Sequence, residues 1–230
     1  MKIAAIWRYP VKSMSGERLS SAHLTRTGFV GDRVVQVYDR RGRIVTARTF
    51  PRLLRLRATL GRDGEPVVDG LPWNSSEVAA RVEAAVAPGA TLARFDGPER
   101  FDILPLLICT DGAVSMFGRD VRRLRPNILI GGVDGAGERQ WPGATLRLPN
   151  AEVAIADLRG RCVMTTYDPD TAEQDPSVLR YIGRQFGGRL CLNAHVIRSG
   201  QVKEGDAVTL LSRADDTVTP PPSYAQGDLE

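Results

Sequence analysis

The residue with the most versatile chemistry in this sequence is Cys162. It stands in the run Asp157-Leu158-Arg159-Gly160-Arg161-Cys162-Val163-Met164-Thr165-Thr166, with two arginines within three residues and a glycine between them. Nearby cations favour the thiolate, the form that attacks electrophiles and binds soft metals. The plain alternative is a structural cysteine at a strand start. Cys109 and Cys191 have apolar neighbours instead, Ile108 for the first and Leu190 and Leu192 for the second, and read as buried packing residues. Three cysteines so widely spaced suggest neither a disulfide framework nor a CxxC zinc site, which makes a reducing cytoplasm the expected compartment.

A second group of residues suits an anion. The loop Tyr9-Pro10-Val11-Lys12-Ser13-Met14-Ser15-Gly16 is bracketed by proline and glycine and offers an ammonium, a hydroxyl and backbone N–H groups. Lys12 is one of only three lysines, against 28 arginines, so it stands out. Gly31-Asp32-Arg33 and Thr46-Ala47-Arg48 flank a predicted hairpin over 33–48, which brings Arg33 and Arg48 to its open end as a candidate bidentate clamp. Arg122-Arg123-Leu124-Arg125-Pro126-Asn127 packs three arginines into four residues, with Pro126 pushing Arg125 towards extended geometry. Asp168-Pro169-Asp170-Thr171 reads as a turn in which Asp168 either caps the backbone or accepts hydrogen bonds from a ligand. Solvated loops and exposed charges are the plain alternatives at each of these places.

The elements that must position these residues are mostly strands. Short apolar or alternating runs lie at 2–7, 34–38, 43–47, 54–60, 103–109, 127–131, 144–148, 152–156, 162–167, 189–197 and 206–211. Helical periodicity is confined to 74–87, with Asn74 as N-cap and Glu77 three residues on, to 112–118 behind Thr110-Asp111, and to 177–186. Many short strands with few helices predict a mainly β (α+β) protein of barrel type rather than a doubly wound sheet. A stretch rich in proline, glycine and charge over 87–101 suggests a joint between an N-terminal barrel-like domain (1–95) and a second barrel (96–212), with a disordered tail over 213–230.

Composition removes several function classes. At 230 residues and 42% hydrophobic, the chain can bury a core without staples. It has no apolar run of ~18 residues and no signal peptide, so no membrane association is expected. Two histidines, His23 and His195, exclude a three-histidine site or an HExxH helix. The glycine run 131–137 fits neither GxGxxG nor GxxxxGK[ST], and reads as a mobile loop. A net charge of +4 without basic–aromatic interleaving argues against nucleic acid as partner.

Taken in order, Tyr9-Pro10-Val11-Lys12-Ser13, Gly31-Asp32-Arg33, Thr46-Ala47-Arg48, Arg125-Pro126-Asn127, Arg161-Cys162 and Thr165-Thr166-Tyr167-Asp168-Pro169-Asp170-Thr171 resemble the MOSC family with its N-terminal β-barrel domain, a group that includes the mitochondrial amidoxime-reducing components and bacterial relatives. Gly205-Asp206-Ala207-Val208 also resembles that family, and the likeness spans roughly 1–212. The resemblance implies a molybdenum cofactor, a phosphorylated pterin whose dithiolene holds molybdenum. By that resemblance Cys162 ligates the metal and is the catalytic residue. Lys12, Ser13, Arg33 and Arg48 hold the cofactor from the N-terminal half, and Arg125, Asn127, Arg161 and Asp168 line it from the MOSC half. Pyridoxal phosphate binding is a further property such domains suggest.

The implied activity is reduction of small N-oxygenated compounds such as hydroxylamines or amidoximes. Too few cysteines for an iron–sulfur cluster and no ferredoxin domain or membrane anchor imply electrons from a separate donor of ferredoxin, flavin or cytochrome b5 type. Two departures stand out: Ala172 occupies a place where the family turn usually has glycine, and Thr110-Asp111-Gly112-Ala113 replaces a serine-rich segment expected in the pocket wall. The rival expectations are a sulfur carrier or sulfurtransferase using a Cys162 persulfide, a non-catalytic cofactor carrier, and a basic RNA-binding barrel.

Overall fold

A computed structural model describes residues 1–211; the expected tail over 213–230 lies outside the described residues. The protein is mainly β with three α-helices among the described residues, Ser76–Ala85, Asp111–Phe117 and Ser177–Phe186. Its largest sheet has eight strands in the order Thr209–Leu211, Thr145–Arg147, Glu152–Gly160, Arg189–Arg198, Leu106–Thr110, Ile128–Gly131, Lys2–Arg8 and Glu17–Leu19. Three-stranded sheets formed by Thr91–Arg94, Val35–Tyr38 and Ile44–Val45, and by Ala58–Leu60, Pro66–Val68 and Leu71–Pro72, make up most of the N-terminal half. Among the described residues no helix is long and apolar enough to cross a membrane.

Two N-terminal strands pair with strands of the C-terminal half. Lys2–Arg8 pairs antiparallel with Ile128–Gly131, and Ser21–Thr25 pairs with Gly200–Lys203. Ile3, Ile6, Leu24 and Phe29 accordingly sit in one core with Ile108, Ile130, Val153 and Leu192. A second core joins Val11, Met14, Val35, Leu53 and the helix residues Val78 and Val82, and reaches across to Tyr167. The seam between these cores is where the candidate residues meet.

Two crossings of that seam matter. Leu106–Thr110 and Ile128–Gly131 run parallel, so the chain must cross over between them. That crossover carries the helix Asp111–Phe117 and the 3-10 turn Val121–Leu124, and delivers Arg123, Arg125 and Asn127 to the start of the second strand. The long pair Glu152–Gly160 and Arg189–Arg198 ends at Gly160, after which Arg161 N donates to Gly188 O over 2.9 Å. Cys162 therefore sits just past the end of the longest antiparallel ladder.

The structure corrects several expectations. Residues 162–167 are not a strand: Val163–Thr166 is a 3-10 turn. Thr165 Oγ1 donates back to Cys162 O over 2.9 Å and Thr166 Oγ1 to Val163 O over 2.6 Å, and such local bonds favour a turn over a ladder. The strand expected over 54–60 is confined to Ala58–Leu60, because Pro51 starts a 3-10 turn, Pro51–Arg55, that buries Leu53 and Leu54. The first α-helix is capped by Ser75, whose Oγ accepts from Val78 N over 3.3 Å, one residue after the expected Asn74. In the glycine run, Gly132 N and Val133 N donate to the Asp111 carboxylate, so these amides are already occupied.

Cys109 and Cys191 are disulfide-bonded, not separate packing residues. The register Leu106↔Ala194, Leu107↔Asn193, Ile108↔Leu192 sets Cys109 opposite Cys191, with Cα atoms 4.5 Å apart. That is the spacing of a non-hydrogen-bonded antiparallel pair, where opposite side chains approach most closely. Both cysteines are indeed fully buried, but the bond removes the cysteine count as an argument for a reducing compartment.

Candidate active site

The loop after the first strand is fastened to the strand Val35–Tyr38. Lys12 N donates to Val35 O over 2.9 Å, Val35 N to Pro10 O over 3.2 Å, and Arg33 N to Tyr9 O over 2.8 Å. A Cβ at Gly16 would lie 2.1 Å from Arg8 O, so the turn closing this loop admits only glycine. Ser13 (φ 71°), Arg33 (φ 56°) and Arg125 (φ 54°) all hold the left-handed conformation, unusual for residues with side chains. Such conformations concentrate at functional sites, where the surroundings enforce them. Arg125 is not extended as Pro126 had suggested; its N closes a turn onto Arg122 O at 3.1 Å.

Tyr9 spaces two of the cations. The Arg125 guanidinium carbon lies 4.2 Å from the Tyr9 ring centroid and that of Arg33 5.0 Å. The Tyr9 hydroxyl donates to Pro126 O over 3.1 Å, and burial pushes its pKa up to about 12, so it stays a neutral phenol. Asp32, fully buried, binds the parts together. Its carboxylate accepts from Tyr9 N at 2.7 Å and Asn127 Nδ2 at 3.2 Å, and pairs with Arg33.

These groups line one cleft. Of the residues singled out in the sequence, Lys12, Ser13, Arg33, Arg48, Arg125, Asn127, Arg161 and Cys162 all border it. Asp168 does not. Its Oδ1 caps the turn at Asp170 N and Thr171 N, both at 3.0 Å, while Oδ2 accepts from Arg123, which does reach the cleft. The segment Thr110–Ala113 is also absent from the lining: Thr110 Oγ1 caps the helix behind it and donates to Glu138. Asn127 lines the cleft, but its amide is engaged at both ends, accepting from Leu107 N at 3.1 Å and donating to Asp32.

Sequence reading missed Arg100, Asp102, Arg123 and Arg159 as lining residues. The signal for Arg159 was there, since Arg159 and Arg161 are two apart at a strand end and share a face. Asp102 lies just past the expected joint, at the edge of the strand expected over 103–109. Its carboxylate takes Lys12 Nζ at 3.0 Å, Arg48 Nη2 at 2.6 Å and Arg159 Nη2 at 3.5 Å.

The cleft is strongly electropositive. Eight cationic side chains face one carboxylate, that of Asp102. Burial would raise the Asp102 pKa, but Lys12 and then Arg48 overcome it and hold the group at about 2. Burial opposes the charge on Arg48 too, yet Asp102 and the neighbouring Cys162 outweigh it and raise its pKa. Arg125 and Arg161 are drawn down to about 10, chiefly by burial, and remain charged at neutral pH. Arg161 Nη2 donates to Leu124 O at 2.8 Å, but its buried Nε has no partner among the described residues. Arg125 likewise makes no ion pair among them; both groups have capacity left for a ligand acceptor.

Cys162 is the one cysteine with a free thiol, part-exposed at this cleft. Among the described residues no three His, Cys, Asp or Glu side chains converge, so a metal here would take one protein donor, Cys162, and its other donors from elsewhere. A soft sulfur donor beside unsatisfied cationic N–H groups fits a metal-bearing, phosphorylated organic ligand.

The sequence supports the same frame from an independent direction. Residues 1–90 match the MOSC N-terminal beta barrel domain and residues 114–209 the MOSC domain. The chain belongs to the MOSC family. This MOSC chain is 26% identical to the mitochondrial amidoxime-reducing component 1 of Homo sapiens, over 92% of its own length and 83% of the relative's. It is 27% identical to the mitochondrial amidoxime reducing component 2 of Macaca fascicularis, over 75% of its length and 68% of the relative's. A molybdenum cofactor sulfurase of Caenorhabditis briggsae is 25% identical over 77% of the chain, which spans 30% of that longer protein. Among solved structures, the YUAD protein from Bacillus subtilis overlays with a TM-score of 0.48 at 14% identity, covering 91% of this MOSC chain and 94% of that one.

Proposed function

We propose that this chain binds a molybdenum cofactor in the cleft at Cys162 and reduces N-oxygenated compounds such as amidoximes or hydroxylamines, with electrons from a separate redox protein of ferredoxin, flavin or cytochrome b5 type. The observation that carries this reading is the meeting of one free thiol with unsatisfied cationic donors, Arg161 Nε foremost, in a single cleft. The names of the amidoxime-reducing relatives support the same chemistry.

In this reading Cys162 is the protein's metal ligand. Lys12, Arg33, Arg48, Arg125 and Arg161 hold the anionic parts of the cofactor, with Ser13 as a hydroxyl partner. Asn127 keeps Asp32 and the loop in register, and Asp168 acts through Arg123. When bound, the cofactor supplies a two-electron couple and an oxygen-accepting centre. Converting N–OH to N–H consumes two electrons and two protons and releases water. The cationic wall steers anionic groups, the cofactor's phosphate among them, into the cleft.

The test is turnover of an aryl amidoxime by cofactor-loaded chain with reduced viologen as electron source, which removes the need for the natural donor. Amidine formation that disappears in Cys162→Ala supports the reading; no amidine from loaded wild-type chain overturns it. The relative named as a molybdenum cofactor sulfurase favours one second reading, sulfur transfer through a Cys162 persulfide. Persulfide on Cys162 that moves to an acceptor, without amidoxime turnover, is its signature.

A further inference from the structure

The cleft leaves little free space. Its free volume is about 100 Å³, whereas pockets for small organic ligands begin at about 300 Å³. Part of its lining comes from the segment just past the joint between the two halves. Phe101, Asp102 and Leu104 border it from there.

Before the next strand begins, the segment is held at Arg100, whose carbonyl also accepts from Lys12 Nζ over 3.0 Å. Arg100, buried, donates through its guanidinium to the carbonyls of Thr27, Asp32, Asp96 and Gly97. From Asp102 to Pro105, among the described residues, the backbone makes no hydrogen bond; the ladder resumes at Leu106. What ties this stretch to the cleft is the Asp102 carboxylate, on Lys12, Arg48 and Arg159. A short chain with free backbone groups, fastened by one side chain, is the kind of element that opens at low cost.

We propose that Asp102 is an internal counter-anion: in the cofactor-free chain it occupies the anion subsite of Lys12, Arg48 and Arg159, and the stretch Asp102–Pro105 swings out when an incoming phosphate group replaces it. This rests on reading the cleft as an anion-binding cofactor site. Exchange sets selectivity as well as access. A tethered carboxylate competes at an effective concentration on the order of millimolar. A free carboxylate must beat an identical group already in place. A phosphate dianion brings a second negative charge to three cations and wins the exchange. Asp102 is thus a specificity-determining residue that keeps the site filled and its cations neutralised until a phosphorylated ligand arrives.

The experiment uses the cofactor-free full chain, wild type and Asp102→Asn, with inorganic phosphate and acetate as probes at pH 8 and low salt. Calorimetry reads affinity, and chymotrypsin reads release of the segment through cleavage after Phe101. The expected result is phosphate binding by wild type with little acetate binding, about tenfold tighter phosphate binding by Asp102→Asn, and measurable acetate binding by that variant. Phosphate should accelerate cleavage in wild type, and Asp102→Asn should be cleaved rapidly without it. Phosphate binding that is unchanged or weaker in Asp102→Asn, or phosphate that protects the segment, overturns the proposal while leaving the cleft an anion site. No phosphate binding by either protein overturns the proposal and the anion-site reading together. Lys12→Met should weaken phosphate binding in both backgrounds, and cooperative melting of every variant excludes a folding defect as the cause.

Discussion

Asn127 Nδ2 donates to Asp32 Oδ2 over 3.2 Å, joining residues 95 positions apart in sequence. The same carboxylate holds Tyr9 N at 2.7 Å and pairs with Arg33, so one fully buried group fixes the first loop, the hairpin entrance and the strand that follows the crossover. The cleft is assembled around Asp32 before any ligand enters it. Asp32→Ala strands the Arg33 charge and two further donors, Tyr9 N and Asn127 Nδ2. Unfolding in urea should show a loss of about 3 kcal/mol, the scale for breaking one side of a buried pair. An unchanged midpoint would show that the Asp32 cluster does not hold the two halves together.

Much of this assembly was legible in the sequence, because short motifs carry it. Lys12, Ser13, Arg33, Arg48, Arg125, Asn127, Arg161 and Cys162 each stand within three residues of a proline, a glycine or a strand end, and these fix local geometry. What was not legible depends on partners far along the chain. Asp102 reads as one charge at the edge of a polar joint until Lys12 and Arg48 are brought to it. Cys109 and Cys191 have apolar neighbours whether or not they are bonded; only the strand register sets them opposite each other. The 3-10 turn Val163–Thr166 was hidden because its threonines have high strand propensity, and the back-bonding of their hydroxyls overrides it.

The disulfide makes a countable prediction. Thiol titration of the unfolded chain without reductant should find one reactive thiol, Cys162, and three after reduction. The Cys109–Cys191 bond closes a separation of 82 residues, and a cross-link over so long a loop stabilises by up to about 4 kcal/mol in the chain-entropy model. The Cys109→Ala/Cys191→Ala double variant should melt well below wild type. Three thiols in the unreduced chain, from an oxidising preparation, would contradict the bond.

Ala172 sits at φ 61°, with its N–H donating to Asp168 O over 2.9 Å. A side chain in that conformation costs about 1 kcal/mol or more, and glycine relieves the strain while gaining some unfolded-state entropy. Ala172→Gly should raise the melting temperature by a few degrees, the scale of about 0.5–1 kcal/mol in a domain of this size. A lower melting temperature would show that the turn around Asp168 is not strained at Ala172.

Acid should act on the cofactor-free chain through Asp102. Its pKa is lowered from the model-peptide value of 3.8 to about 2 by Lys12 and Arg48 against the effect of burial. A carboxylate with a depressed folded-state pKa contributes stability that is present above its unfolded pKa and lost as pH falls through the folded one. The contribution therefore fades between about pH 4 and pH 2. Unfolding free energies measured across that range should fall less steeply in Asp102→Asn than in wild type. Parallel curves would mean that the three cations do not hold the Asp102 charge in solution.

The most direct test of the account is the molybdenum content of wild type and Cys162→Ala, both purified from a molybdate-fed host that makes the cofactor. Elemental mass spectrometry of the wild-type chain should find close to one molybdenum per chain, with much less metal, or metal without amidoxime turnover, in the variant. A folded wild-type chain free of molybdenum, with persulfide on Cys162, would contradict the cofactor reading and leave sulfur transfer in its place.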